Sequence, residues 1–315
     1  MLKGVGIPEY YLGGNVEEVK EPTLLGEGIR TILSAKTYIF NVLTKLEALF
    51  DGGPFKKCST PMMESYHPEL DDTPLLDDAN HSKYRALIGS ANWVNTLGRM
   101  DVTHATNTLA RYSMAPREGH LIALKRVFGY LRKHPDGQIL IDPNPMDHSE
   151  ALKKFTAYNN WREFYPDAKE ELPPDQPALG IKKAQITIYV DADHAHDQVT
   201  RRSVTGVILF VNGTPDRWMS KRQKTVETST YGSELVAARV AVELAMEYRY
   251  SLRMLGVEVD GPCMLFGDNN SVILNTTIPS SQLKKKHNAI AYHCVRECVA
   301  AEICRFVHVD SALNL

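Results

Sequence analysis

Cysteine is scarce in this 315-residue chain. The five present, Cys58, Cys263, Cys294, Cys298 and Cys304, form an odd set without a Cys-x-x-Cys pair. That argues against a disulfide-stapled scaffold or a structural zinc ribbon and fits a reducing compartment. Long apolar runs are also missing: nowhere do about 18 apolar residues follow one another, as a membrane-spanning helix requires. The start, Met1-Leu2-Lys3-Gly4-Val5-Gly6, lacks the apolar core of a signal peptide. The expected location is intracellular, in the cytoplasm, with no membrane partner. No charge of one sign dominates, because 36 Lys and Arg stand against 38 Asp and Glu for a net charge of −2. Nucleic-acid binding must therefore come from local patches. What is present is 43% hydrophobic and 23% charged residues, an ordinary globular mixture, in a chain long enough for two cores.

Tyr10-Tyr11-Leu12 runs into Gly13-Gly14, where an extended segment bends. After Ser34, a plausible N-cap, Ile39, Phe40, Val42, Leu43, Leu46, Leu49 and Phe50 recur at helical spacing until Asp51-Gly52-Gly53-Pro54. Three more helices are expected over 82–97, 102–112 and 117–132, punctuated by Gly98, Pro116 and Pro135. From 142 to 183, six prolines sit among charges, which reads as a tethered linker or insertion with Trp161, Phe164 and Tyr165 as an anchor. Strands follow over 186–191, 204–211 and 217–225, the last two joined by the turn dipeptide Asn212-Gly213. A helix over 230–255 is opened by Ser229 or Thr230 and closed by Gly256. Strand 263–266, helix 271–275, helix 287–301 and strand 304–309 complete the chain, which has no internal repeat.

Three carboxylates stand where chemistry gathers in such a pattern. Asp191 ends the first strand of the last third, Glu234 lies in the first turns of the long helix, and Asp268 follows the next strand. Sites in α/β sheets form at the carboxyl ends of strands, so these acids can share one cleft. Three anions there repel unless divalent cations lie among them, and Mg²⁺ prefers such oxygen ligands. The competing reading makes both aspartates turn residues and Glu234 a favourable helix-start charge. Spacing alone leaves both open.

The flanking residues add a resemblance. Tyr189-Val190-Asp191-Ala192-Asp193, Ser229-Thr230-Tyr231-Gly232-Ser233-Glu234 and Phe266-Gly267-Asp268-Asn269-Asn270-Ser271 resemble, in order, the ribonuclease H domain of copia-type retrotransposon polyproteins. Arg201-Arg202-Ser203-Val204-Thr205-Gly206, Trp218-Met219-Ser220-Lys221-Arg222-Gln223, and Lys286-His287 with Tyr292-His293 and Arg296-Glu297 are similar to that family's intervening segments. Cys58-Ser59-Thr60-Pro61-Met62, Tyr84-Arg85-Ala86-Leu87-Ile88-Gly89 and Lys125-Arg126-Val127-Phe128-Gly129-Tyr130-Leu131 resemble the stretch joining its reverse transcriptase to its ribonuclease H, and Pro8-Glu9-Tyr10-Tyr11-Leu12-Gly13 the tail of its polymerase palm.

The resemblance implies an α/β chain with a ribonuclease H-like mixed sheet and flanking helices, preceded by a small α-helical connection and a remnant of the palm. The expected divisions are a palm remnant over 1–55, a helical connection over 56–141, a Pro-rich linker or insertion over 142–183 and the ribonuclease H-like domain over 184–315. Asp191, Glu234 and Asp268 are implied to hold two Mg²⁺ ions, with Mn²⁺ as a substitute, and to cut the RNA strand of an RNA–DNA hybrid. The remainder of the polyprotein is the implied protein partner. Contacts to the hybrid are expected from Asn269, Asn270, Arg201, Arg202, Lys221, Arg222, Lys284, Lys285, Lys286 and His287. For the basic run Lys284-Lys285-Lys286-His287, which opposes a helix dipole, a plain solvated loop is the competing reading.

The sequence departs from the family pattern in two places. A fourth acid follows an Asn-Leu-Ala step in the family, whereas here the order is Val309-Asp310-Ser311-Ala312-Leu313-Asn314-Leu315, leaving Asp310 or the terminal carboxylate as the nearest substitute. The polymerase hairpin with its paired aspartates is absent, so DNA synthesis is not expected; Asp71-Asp72 and Asp77-Asp78 imitate it among prolines. The alternative to a nuclease is therefore a degenerate, inactive relic, or a nucleic-acid-binding module without turnover. Asp191, Asp193, His194, His196 and Asp197 would suit zinc only if the strand continued through them. Cys294 and Cys298 share a helix face and read as buried.

Overall fold

The computed structural model describes residues 9–23, 26–283 and 285–314, without the side chains of 21–23, 26–29 and Lys154. Residues 1–8 and Lys284 lie outside the described residues. The chain forms two compact units, Met1–Asp142 and Pro143–Leu315.

In the first unit, β1 (Tyr10–Tyr11), β2 (Gly14–Thr23) and β3 (Gly26–Ser34) lead into α1 (Lys36–Glu47). Then come α2 (Asp78–Thr96), α3 (Thr103–Ala110), α4 (Glu118–Lys133) and β4 (Gln138–Ile141). The sheet order is β1-β2-β3-β4, antiparallel throughout. Thus β4, at the far end of the helical stretch, pairs with a strand from the first 55 residues. The apolar stripe of α1, Ile39, Val42, Leu43 and Leu46, is buried with Leu87, Leu124, Phe128 and Leu131 in one core. The acidic pairs here have local duties. Asp77 caps α2 by accepting from the Asn80 N–H at 2.7 Å, and Asp71 accepts from the Thr73 N–H and hydroxyl at 2.9 and 2.6 Å.

The second unit opens with α5 (Ser149–Lys154) and β5 (Lys183–Ala184), followed by β6 (Ile186–Asp193), β7 (Val204–Val211), β8 (Thr214–Arg222) and α6 (Thr230–Met254). Next are β9 (Glu258–Val259), β10 (Cys263–Gly267), α7 (Asn270–Thr277), α8 (Ala289–Ala300) and β11 (Cys304–His308). The main sheet has the order β11-β10-β6-β7-β8. The meander β6-β7-β8 is antiparallel, while β10 runs parallel to both β6 and β11. This is the ribonuclease H-like mixed sheet with flanking helices that the motifs imply.

Alternation along β6 buries Ile186, Ile188, Val190 and Ala192 in the larger core with α6 and α8. Ala237, Ala238, Ala241 and Ala245 let α6 lie close to the sheet, and Leu235 and Val242 fill the space between, each stabilising by about 1.5–3 kcal/mol. The third strand begins at Thr214, three residues earlier than its expected start, because Asn212 adopts φ 54° and the turn closes in two residues. Pro215 is tolerated because β8 is a sheet edge, opposite the register shift between Leu209 and Phe210.

Residues 143–182, expected as a tether, are packed against this unit. Phe155 and Ala151 join Tyr189, Met264, Phe266 and Val307 in a second small core. His148 meets Thr187 Oγ1 at 3.1 Å. Trp161 is buried, and the Arg296 guanidinium lies over the rings of Trp161, Tyr165 and Tyr292. Arg296 donates to the carbonyls of Asn275, Ile278 and Pro279, so this buried cation is held by dipoles and π faces. Glu170 accepts from both Arg249 and Arg253.

Candidate metal centre

Three elements converge at one end of the main sheet. Asp191 comes from β6, two residues before that strand ends, Glu234 from the second turn of α6, and Asp268 from the step between β10 and α7. Local capping sets the last two positions. Ser229 accepts from the Gly232 N–H to start α6, and Asn269 accepts from the Val272 N–H at 3.2 Å to start α7 one residue after Asp268. The result is a cluster in which one carboxylate oxygen from each acid lies within 4.8 Å of one from each of the others. Among the described residues it is the one such group of three or more His, Cys, Asp or Glu side chains.

Its electrostatics are those of uncompensated charge. Burial pushes the Glu234 carboxyl up to about 8, aided by the negative charge of Asp191 and Asp268 and opposed by the Ala192 N–H. Asp191, though exposed as a residue, is also raised by the partial desolvation of its carboxyl, with Asp268 and Asp193 adding to it. A hard divalent cation relieves such a site, and three carboxylates with open positions suit one that takes oxygen ligands. The donor set fits the expected metal.

The surroundings of Asp268 include residues that sequence reasoning did not single out. Ser311 donates its hydroxyl to Asp268 Oδ2 at 2.7 Å, and His308 Nε2 lies 3.1 Å from the Asp268 carbonyl oxygen. Asn314 donates to the Val190 carbonyl at 3.2 Å, tying the same terminal stretch to β6. Asp310 is exposed and is not one of the clustered acids. The only signal for Ser311 was its place beside Asp310, in a short polar stretch without periodicity.

The zinc reading fails on backbone geometry. β6 stops at Asp193, and Ala195 turns at φ 53°. His196 Nδ1 then meets Asp193 Oδ2 at 2.6 Å, His194 Nδ1 lies 3.3 Å from Ser233 Oγ, and Asp197 is buried against Arg222 at 2.8 Å. Burial pushes the Asp197 carboxyl up, but the Thr200 N–H and Arg222 outweigh it and hold it at about 2. The run thus divides into local pairs.

The expected hybrid contacts are placed as follows. Asn270 is exposed on the first residue of α7, while the Asn269 side chain is engaged as its cap. Arg201 is exposed in the turn after Asp197 at φ 56°, Arg202 is half-buried, Lys221 is exposed on β8, and Arg222 is paired to Asp197. Lys285 donates to the hydroxyls of Thr228 and Ser229 at 3.3 and 2.8 Å, beside the start of α6. Lys286 is exposed, and His287 sits 3.5 Å from the buried carboxylate of Glu227. Lys284 lies outside the described residues.

The chain is 28% identical over 304 residues to the retrovirus-related Pol polyprotein from transposon RE1 of Arabidopsis thaliana, covering 96% of this chain and 17% of that protein. It is 24% identical over 317 residues to the Pol polyprotein from transposon TNT 1-94 of Nicotiana tabacum, covering 99% and 20%. No family model matches. Among solved structures, a ribonuclease H1 from Halobacterium salinarum aligns at 15% identity over 41% of this chain and 89% of its own, with a TM-score of 0.32. LC11-RNase H1, solved with an RNA/DNA hybrid, aligns at 16% identity over 41% and 88%, with a TM-score of 0.33. Over nearly its whole length the chain is a homologue of copia-type retrotransposon Pol polyproteins and spans 17–20% of the length of these two relatives.

Proposed function

We propose that the second unit is a metal-dependent endonuclease that cleaves the RNA strand of RNA–DNA hybrids. The observation that carries this reading is the meeting of three carboxylates, from β6, α6 and the β10–α7 step, within 4.8 Å. Asp191, Glu234 and Asp268 would hold Mg²⁺, with Mn²⁺ able to replace it. Bound there, the cations lower the pKa of a water and stabilise negative charge developing on the phosphodiester. Ser311 fixes the orientation of the Asp268 carboxylate through its hydroxyl. Exposed Asn270, next to that acid, offers an amide that can both donate to and accept from a ribose 2′-hydroxyl, the group that distinguishes RNA from DNA. Lys286, Arg201 and Lys221 are exposed cations for the phosphate backbone, and Arg202 and Lys285 are half-buried ones. His287 stands near the same helix start, and Lys284 completes the basic run. The remainder of a Pol polyprotein is the natural protein partner, as the relatives suggest.

The test is cleavage of labelled hybrid, duplex DNA and duplex RNA by the full chain with Mg²⁺ or Mn²⁺. Cleavage confined to the RNA of the hybrid, and reduced at least roughly a hundredfold by Asp191→Asn, Glu234→Gln or Asp268→Asn, supports the reading. Hybrid binding with neither metal producing cleavage would instead identify a module that holds nucleic acid without turnover. Cleavage indifferent to all three substitutions would place the chemistry elsewhere.

A further inference from the structure

The fold gathers cysteines that the sequence scatters. Cys263 and Cys304 are register partners on the adjacent parallel strands β10 and β11. Cys294 and Cys298 lie one turn apart on α8; Cys298 shares the larger core with Cys263 and Cys304, and Cys294 packs against it. Four of the five cysteines therefore share one region of the second unit. Burial among strand side chains accounts for Cys263 and Cys304, since a buried thiol packs as a small apolar group.

The same burial holds Cys298, whereas Cys294 is only half-buried. Cys298, only 3% exposed, donates its S–H to Met246 Sδ of α6 at 3.7 Å, and Cys294 stands one turn before it on α8. Met246 is 36% exposed and Cys294 half-buried, and all three residues line a cleft of about 610 Å³ together with Tyr250, Glu297 and Ile303. A thioether and two thiols thus converge with one side toward solvent.

We propose that Cys294, Cys298 and Met246 form a binding site for one Cu(I) ion in the wall of this cleft. Thiolate and thioether are soft ligands, the combination that selects Cu(I) over harder divalent ions. Sulfurs bound to one ion at about 2.3 Å lie roughly 3.7–4.0 Å apart, depending on coordination angle, and the Cys298–Met246 pair already stands at 3.7 Å. No third Cys, His, Asp or Glu joins this pair of thiols within 4.8 Å among the described residues, so the four-ligand set of a structural zinc site is not assembled. Binding transfers no electron: the ion forms three metal–sulfur bonds while the Cys294 and Cys298 protons leave to solvent. Arg239 favours the anionic product, and Glu243 and Glu297 oppose it.

The experiment is an anaerobic titration of the full chain against a chromogenic Cu(I) chelator, which reads both stoichiometry and affinity. The expected result is withdrawal of one equivalent, with a sulfur-to-copper charge-transfer band in the ultraviolet. Cys294→Ser and Met246→Leu should each weaken binding by at least the roughly 10–100-fold that loss of a merely supporting partner costs a metal site. Met246→Leu conserves volume and keeps the fold testable if Cys298→Ser does not. Cys58→Ser, in the other unit, should bind as the parent does. No withdrawal of copper, or capture unchanged in both Cys294→Ser and Met246→Leu, would overturn the proposal. So would tighter binding of Zn²⁺ than of Cu(I) at these residues.

Discussion

Removing one acid from the metal centre should abolish cleavage and at the same time strengthen the metal-free fold. Asp268→Asn is the cleanest perturbation, because the amide oxygen can still accept from the Ser311 hydroxyl that now reaches Asp268 Oδ2 at 2.7 Å. Only the charge is lost. Carboxylate oxygens as much as 4.8 Å apart repel by about 3.5 kcal/mol per ionised pair at an effective dielectric of about 20. At neutral pH Glu234, raised to about 8, is largely protonated, so the ionised partner of Asp268 is Asp191, which is exposed, and water and salt cut the repulsion to a net gain of about 1 kcal/mol. In a domain of this size that corresponds to a rise of roughly 2–4 °C in Tm. Thermal unfolding followed by circular dichroism, in EDTA and again in Mg²⁺, measures it. In EDTA the variant should melt higher than the parent; in Mg²⁺ the parent should gain more, because it binds the ion more tightly in the folded state. A metal-free variant no more stable than the parent, or an equal Mg²⁺ gain in both proteins, would refute the argument that the three acids are mutually strained and relieved by a cation.

Other consequences follow from particular contacts. Ser311→Ala should leave Asp268 charged but loosely oriented, reducing hybrid cleavage by about 10–100-fold with little change in Tm, as steady-state kinetics would show. Glu170→Gln should cost about 2 kcal/mol in urea unfolding, less than the ~3–5 kcal/mol of a fully buried pair, because it strands Arg249 and Arg253 while Glu170 keeps some contact with solvent. Burial pushes the Glu170 carboxyl up, but the two guanidinium groups outweigh it and bring it from 4.5 to about 2. Its stabilisation is therefore complete above pH 4.5 and is lost as the pH falls from there toward 2, and acid titration of Glu170→Gln should lack that component. Gly129→Ala should destabilise the first unit by about 1–3 kcal/mol in urea, because a Cβ at that position on α4 would collide with the Lys56 carbonyl oxygen.

Local rules were enough to read the second unit's main elements. The period-two run of β6, the two-residue turn at Asn212-Gly213 and the Ser229 cap with Gly256 at φ 75° each carry their own signal within a few residues. The strand and helix ends that bear Asp191, Glu234 and Asp268 were legible for that reason. Elements fixed by distant partners were not. β4 is four residues long and takes its place from pairing with β3, more than a hundred positions earlier in the chain, so no local pattern announces it.

The stretch over 143–182 shows the same limit from the opposite side. Its prolines and charges resemble a tether because composition reports what a segment lacks, a periodic apolar face, and not what it touches. Single residues hold it: Trp161, one of the three aromatics expected as an anchor, lies beneath the Arg296 guanidinium, while Phe155 against Tyr189 and Phe266 and Glu170 between two arginines of α6 carried no signal. Such point anchors need no repeat in the sequence, since each partner is supplied by an element already folded. Ser311 belongs to this class as well, for its hydroxyl gains a role only once β11 has laid the terminal turn beside Asp268. The residues that shape the metal centre's geometry are thus less visible in sequence than the acids themselves, because an acid needs a strand or helix end to project from, whereas a support needs only to arrive.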